Sequence, residues 1–185
     1  MSSPPTPDAP VSAAALAGMG RTPAPFSLAL DGESGATATV HCAETVRALP
    51  GKRLVCQGSW RRQPVYVKVY FGGDRHWQAE RRGLQALHER KIPAATLLHA
   101  GTADGGALHI LILAEIAPAD TLARVWQQAD DEATESRLLE LALLTLAQHH
   151  RAGLEQRDIH LNNFLLASGQ LVTLDGGGIH VSGKA

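Results

Sequence analysis

Hydrophobic and polar positions sort the chain beyond about residue 25 into short strand-like runs interleaved with stretches of helical period. Phe26-Ser27-Leu28-Ala29-Leu30 alternates and stops at Asp31-Gly32, which predicts a strand and a turn. Thr37 to His41 has strand composition as well. Thr45 to Leu49 and Arg53 to Cys56 flank Pro50-Gly51-Lys52, the pattern of two antiparallel strands joined by a tight connection. Val65-Tyr66-Val67-Lys68-Val69-Tyr70-Phe71 is the clearest strand, with Val65, Val67, Val69 and Phe71 on one face and Tyr66, Lys68 and Tyr70 on the other. Asp74 to Lys91 has a helical stripe through Trp77, Leu84 and Leu87, and Ile92-Pro93 ends it. Leu97 to Ala100 is short and apolar, and Leu108 to Ala114 is the unbroken run of a buried strand. Asp120 is placed to cap a short helix through Trp126. Asp130-Asp131-Glu132 precedes the longest helical pattern, which runs to about Ala152 and stops at Gly153. Its leucines, Leu138, Leu139, Leu141, Leu143, Leu144 and Leu146, leave little polar face and predict a buried core helix. Phe164-Leu165-Leu166 and Leu171-Val172-Thr173-Leu174 then form a hairpin around Ala167-Ser168-Gly169-Gln170. The expected class is α+β.

Composition narrows the partners more than the fold. Apolar residues make up 44% of the 185 positions, enough for a core, and the formal net charge of -1 gives no reason to expect bulk binding to nucleic acid. Two cysteines, Cys42 and Cys56, make neither a disulfide framework nor a metal site, which fits a reduced, cytoplasmic compartment. The apolar runs are too short or too interrupted to span a bilayer. The Pro-, Ala- and Ser-rich start, residues 1–25, has no basic region before an apolar block, so it is not a secretory signal, and it is expected to be disordered.

Two polar clusters remain to be explained. Glu80 falls on the buried stripe of its helix, three residues after Trp77 and four before Leu84. A buried carboxylate is costly unless paired. Lys68, on the preceding strand, is the nearest cation in sequence, because Arg81 and Arg82 point away around the helix; a purely structural ion pair would have the same pattern. Downstream, the hairpin should bring its outer ends together, so that Asn163 and Asp175 lie side by side, with Asp158 on the loop that feeds it. A plain polar turn would use the same residue types. His149 and His150 end the long helix pointing in different directions and do not form a shared metal site.

The spacing Arg157-Asp158 … Asn163 followed by Asp175-Gly176 resembles the catalytic and metal-binding loops of protein-kinase-like phosphotransferases. The run Gln156-Arg157-Asp158-Ile159-His160-Leu161-Asn162-Asn163-Phe164-Leu165-Leu166, with the short Arg-bearing hairpin before Val65-Tyr66-Val67-Lys68, is similar to the bacterial lipopolysaccharide core kinases, the Kdo and heptose kinase group. The resemblance covers roughly Val46 to Ile179. It implies a two-lobe fold with an antiparallel-sheet N-lobe over residues 26–117 and a short helical C-lobe over 118–185, ending soon after Asp175 as a truncated lobe would. It implies that Asp158 orients an acceptor hydroxyl as the catalytic base, that Lys68, held by Glu80, binds nucleotide phosphates, and that Asn163 and Asp175 hold Mg2+, with ATP as donor. Glu115-Ile116-Ala117-Pro118 would be the linker between the lobes, whose backbone would bind adenine. The implied acceptor is a sugar hydroxyl of the lipopolysaccharide inner core or a related glycolipid, met in the cytoplasm through peripheral contact with the inner face of the inner membrane. A non-catalytic nucleotide-binding module, or a kinase of a protein or an aminoglycoside, are the alternatives.

Three features depart from the kinase pattern. The 50–52 turn lacks the Gly-x-Gly-x-x-Gly spacing, Gln156 stands where a histidine often precedes Arg-Asp, and Gly177 follows Gly176 where many protein kinases carry a Phe-containing switch. His160 is either a phosphate contact or a solvated loop residue.

Overall fold

The structure, a computed structural model, describes residues 9–182. The chain forms two compact units. One holds the chain up to Trp77 together with Leu97–Glu115; the other holds Gln78–Thr96 and the chain from Ile116 onward.

The first unit is built on a six-stranded antiparallel sheet. Its strands are β1 (Phe26–Ala29), β2 (Thr39–Leu49), β3 (Arg53–Trp60), β4 (Gln63–Phe71), β5 (Leu97–Ala103) and β6 (Leu108–Ala114), in the spatial order β1-β2-β3-β4-β6-β5. The two strands expected at 37–41 and 45–49 are one. Register shifts between Cys42 and Glu44 and between Thr45 and Arg47 interrupt the alternation without ending the strand. Such bulges add a residue to one strand, which breaks the period of two that sequence reading relies on. Gly35–Thr37 is a 3-10 turn, so the strand starts two residues later than expected. The core lies against one face of the sheet and includes Phe26, Leu28, Val40, Val65, Val67, Val69, Leu108, Ile110 and Ile112. Leu16 of α1 (Ala13–Gly18) joins it and is 2% exposed. The expectation of disorder therefore fails from residue 9 onward, because Ser12 caps this short helix and a leucine anchors it; residues 1–8 lie outside the described chain.

β4 has both faces covered. Val65, Val67 and Val69 are fully buried on one, and Lys68 and Tyr70 are buried on the other. This comes from its central place between β3 and β6, where Lys68 stands opposite Val55 and Leu111. Lys68 is not a solvent-facing lysine on an edge strand.

The division between units falls within α2 (Arg75–Glu89), whose start is held to the sheet by the Trp77 indole N–H donating to the Ile110 carbonyl at 3.0 Å. The second unit takes the rest of α2, then β7 (Asp120–Thr121), α3 (Leu122–Gln127), α4 (Glu132–Arg151), β8 (Leu154–Gln156), β9 (Phe164–Ala167), β10 (Gln170–Thr173) and β11 (Ile179–Val181). These strands form a three-stranded sheet, β10-β9-β7, and a two-stranded ribbon, β11-β8. Thr121, not Asp120, caps α3, and Asp120 instead pairs with Arg124 at 3.1 Å. Asp131 caps α4 through the Thr134 N–H at 2.7 Å. α4 is not buried all round. Leu138, Thr145 and His149 face the core, whereas Leu139, Leu143 and Leu144 are about half exposed, at 50%, 58% and 48%. Counting leucines missed this, because a helix docked along one stripe leaves the opposite positions uncovered whatever their polarity.

Candidate active site

The hairpin forms as predicted, with Phe164 opposite Thr173 and Ala167 opposite Gln170. Just past its end the Leu174 N–H donates to the Asn163 carbonyl at 2.8 Å, so the chain segments carrying Asn163 and Asp175 are side by side. Thr173, two residues before Asp175, is fully buried and fixed from several directions. Its N–H donates to the Pro93 carbonyl at 3.0 Å, its carbonyl accepts the Ala95 N–H at 2.9 Å, and its hydroxyl is hydrogen-bonded to His149 Nε2 of α4 at 3.3 Å. Burial, aided by neighbouring His150, holds the His149 imidazole below its ordinary pKa, which keeps it a neutral hydrogen-bonding partner. The residue that resisted a metal role in the sequence is a brace for the hairpin.

Asp158 is exposed, but its backbone is tightly held. Its carbonyl accepts hydrogen bonds from Gln156 Nε2 at 2.8 Å and from Asn163 Nδ2 at 3.1 Å. Both amides are buried, at 4% and 7% exposure. Gln156, which stands where a histidine often precedes Arg-Asp, therefore supports Asp158 directly through its side chain. His160 lies on the same loop. Its exposed ring accepts the Asn162 N–H at 3.1 Å and caps the 3-10 turn Leu161–Asn163.

The glycine run after Asp175 has a packing cause. A Cβ added to Gly83 of α2 would stand 1.9 Å from the Gly176 carbonyl oxygen, and one added to Gly176 would stand 2.3 Å from the Glu80 carbonyl oxygen and 2.5 Å from the Leu84 nitrogen. α2 and this loop meet backbone to backbone, with no room for side chains between them. A Cβ on Gly178 would sit 3.0 Å from Asp158 Cβ, and the Arg157 N–H donates to the Gly178 carbonyl at 2.9 Å. At Gly177 the N–H donates to Asp175 Oδ1 at 2.8 Å, and the hypothetical Cβ would be 3.0 Å from that oxygen and 4.0 Å from Glu80 Oε2. Asp158, Asp175 and the Glu80 carboxylate thus gather around three consecutive glycines. Sequence reading noted Gly177 only as a departure and overlooked Gly83. A glycine inside a helix, at roughly 1 kcal/mol against alanine, was the available signal.

Of the residues singled out from the sequence, Asp158, Asn163, Asp175 and Glu80 come together in the second unit. Glu80 is 1% exposed, as its place on the stripe requires. Lys68 belongs to the first unit and is 7% exposed there. Among the described residues no three His, Cys, Asp or Glu side chains cluster as a metal-binding group. A carboxylate and an amide oxygen from Asp175 and Asn163 nevertheless match what magnesium takes from protein, since it is commonly bound through one or two carboxylates with substrate phosphates and water completing the shell.

Comparison with known proteins gives two findings. Residues 66–180 match the model of the Lipopolysaccharide kinase (Kdo/WaaP) family, which is more than half of the chain. The fold is shared with a solved structure, WaaP in complex with acyl carrier protein, at 22% identity and a TM-score of 0.54. That likeness covers 74% of this chain and 61% of the other, so the chain spans less than two thirds of the length of this neighbour. No curated protein sequence matches the chain.

Proposed function

The chain belongs to the lipopolysaccharide kinase (Kdo/WaaP) family, and from that premise we propose that it is an ATP- and magnesium-dependent kinase that phosphorylates a sugar hydroxyl of the lipopolysaccharide inner core. The observation that carries this reading is the placement of Asp158 and Asp175 against the same glycine loop, with Asn163 donating to the Asp158 carbonyl and accepting from the Leu174 N–H next to Asp175. In this reading the two units are the lobes of a protein-kinase-like fold. Asp158 orients the acceptor hydroxyl and takes its proton as the oxygen attacks the γ-phosphorus of ATP and the bond to the bridging oxygen breaks, with ADP as the leaving group. Its exposed carboxylate on a doubly held backbone suits a group that must reach substrate without moving. Asn163 and Asp175 hold magnesium, which when bound offsets charge on the phosphate oxygens. Lys68, a cation buried on a central strand, is assigned to the nucleotide phosphates and Glu80 to holding that lysine, since buried charges require partners. A glycolipid acceptor would bring the protein peripherally to the inner face of the inner membrane. Among the described residues no helix is long and apolar enough to cross a membrane.

The test is transfer of labelled phosphate from ATP, with magnesium, to isolated lipopolysaccharide core sugars. Magnesium-dependent incorporation into the sugar is expected. Thermal stabilisation by ATP and magnesium with no transfer to any acceptor would instead make the protein a nucleotide-binding module. Transfer to a protein or an aminoglycoside in place of the sugar would move the substrate class.

Gln156 gives a further expectation. Gln156→Leu removes one of the two donors to the Asp158 carbonyl, and small misplacements of a reacting group are costly, so the transfer rate should fall roughly ten- to a hundredfold. Gln156→His keeps an N–H donor and should retain most of the rate. Equal losses in the two variants, in a steady-state transfer assay, would remove Gln156 from the positioning role.

A further inference from the structure

Beside the glycine loop, within the second unit, lies an open cleft of about 440 Å³. Arg82 of α2, Arg157 of the Asp158 loop and His180 of β11 line it, together with Gly177, Gly178 and Ile179. Among the described residues no acidic side chain lines it. Three basic residues from three separate elements thus line one cleft, although the chain as a whole is close to neutral. The cleft is within the range of about 300–1,000 Å³ typical of small-molecule sites.

Its position relative to the reacting groups is fixed by the glycines. Gly178, which forms part of its wall, packs against Asp158, and Gly177, beside it, bonds Asp175 Oδ1. The Arg157 backbone is tied to the same wall through the Gly178 carbonyl. The Arg157 guanidinium is paired with Glu155 at 3.2 Å, but this pair is more than half exposed on the arginine side. Such surface pairs contribute about 0–1 kcal/mol, so the guanidinium is readily exchanged onto a better anion. Arginine is suited to phosphate and carboxylate because its planar fork donates two parallel hydrogen bonds.

We propose that the cleft of Arg82, Arg157 and His180 is an oxyanion site that binds a phosphate or carboxylate already carried by the acceptor, and so presents a neighbouring hydroxyl to Asp158. This rests on the kinase reading and adds to it a substrate class: acidic or already phosphorylated sugars are preferred over neutral ones. The anion is distinct from the nucleotide phosphates and belongs to the acceptor.

Two measurements test this. The first needs no turnover: inorganic phosphate is titrated into the full-length protein and binding is followed by chemical-shift changes at Gly177, Gly178 and His180. Arg82→Gln and His180→Gln should each weaken this binding about tenfold, the loss of one charge-assisted hydrogen bond. Binding that is absent, or unchanged by either substitution, overturns the site whether or not the protein proves to be a kinase. The second compares a phosphorylated or carboxylated core sugar with its neutral counterpart as acceptors. With the charged acceptor, Arg82→Gln should raise KM about tenfold and leave kcat nearly unchanged, and inorganic phosphate should compete. With the neutral acceptor KM should already be high and should not respond. Equal responses from the two acceptors would mean that the bound anion is a free one, which overturns the acceptor assignment.

Discussion

Asp158→Asn is expected to reduce phosphate transfer by about 10²–10⁴-fold, the range contributed by a positioned general base, while the melting temperature and nucleotide binding stay close to those of the native chain. The separation of the two effects follows from how Asp158 is held. Its contribution to local structure is made by its backbone carbonyl, which accepts from Gln156 Nε2 and Asn163 Nδ2. Its packing contribution is the contact of its Cβ with the Gly178 backbone. Both survive replacement of one carboxylate oxygen by an amide nitrogen. What is lost is the capacity to accept a proton from the acceptor hydroxyl. The side chain is exposed, so an asparagine there leaves no buried donor without water. Single-turnover transfer measured with saturating ATP, beside a thermal melt, separates chemistry from folding. A variant that transfers at the native rate would remove Asp158 from the reaction, and with it the link between this loop and catalysis. A variant that melts far below the native chain would mean that the carboxylate is structural.

How much of this was legible beforehand differs from element to element, for physical reasons. Strands whose two faces are both buried, such as Leu108–Ala114, and the alternating run around Lys68 were readable because burial imposes composition directly. The β9–β10 hairpin was readable because its turn residues and its apolar arms agree with each other. Glu80 was found as a misfit, a carboxylate on an apolar stripe, and it is indeed buried. The bulged strand β2 was misread as two, since its register shifts break the periodicity on which the reading depends. The exposed leucines of α4 were misread because hydrophobicity reports a preference for burial, whereas the number of neighbours a helix has is set by the rest of the fold. Gln156 was visible only as an exception to a motif, and Gly176 only as part of one. Their meaning lay in contacts with residues that the sequence does not place: the Asp158 carbonyl in one case and a turn of α2 in the other. The basic cleft was invisible for the same reason, since Arg82, Arg157 and His180 are separated by long stretches of chain and meet only through the packing of α2 beside the ribbon β11-β8.

Gly83→Ala should destabilise the protein, against the usual sign for such a change in a helix. Replacing a helical glycine by alanine normally stabilises by about 0.8–1.0 kcal/mol through the unfolded chain's lost freedom. Here the new methyl would lie 1.9 Å from the Gly176 carbonyl oxygen, 2.6 Å from its carbonyl carbon and 2.9 Å from its Cα. All three are backbone atoms, so no rotamer change relieves the clash, and α2 or the Asp175 loop must move. Overpacking of this kind typically costs about 1–3 kcal/mol and more when backbone is displaced. With the propensity gain subtracted, a net cost of about 1–2 kcal/mol remains, and a fall in melting temperature of roughly 2–8 °C is expected for a chain of this size. Gly18→Ala in α1 is the matched control, because nothing lies within 4 Å of a Cβ placed there, and it should be neutral or slightly stabilising. The same movement also reaches the chemistry. Gly176 adjoins Asp175, and the Gly177 N–H that fixes Asp175 Oδ1 is the next donor along the chain. Transfer by the Gly83→Ala protein should therefore fall even at temperatures where it is still folded, with the apparent affinity for magnesium weakened. A Gly83→Ala protein as stable as the native one would show that α2 and the Asp175 loop do not meet backbone to backbone, and the explanation of the three glycines would go with it.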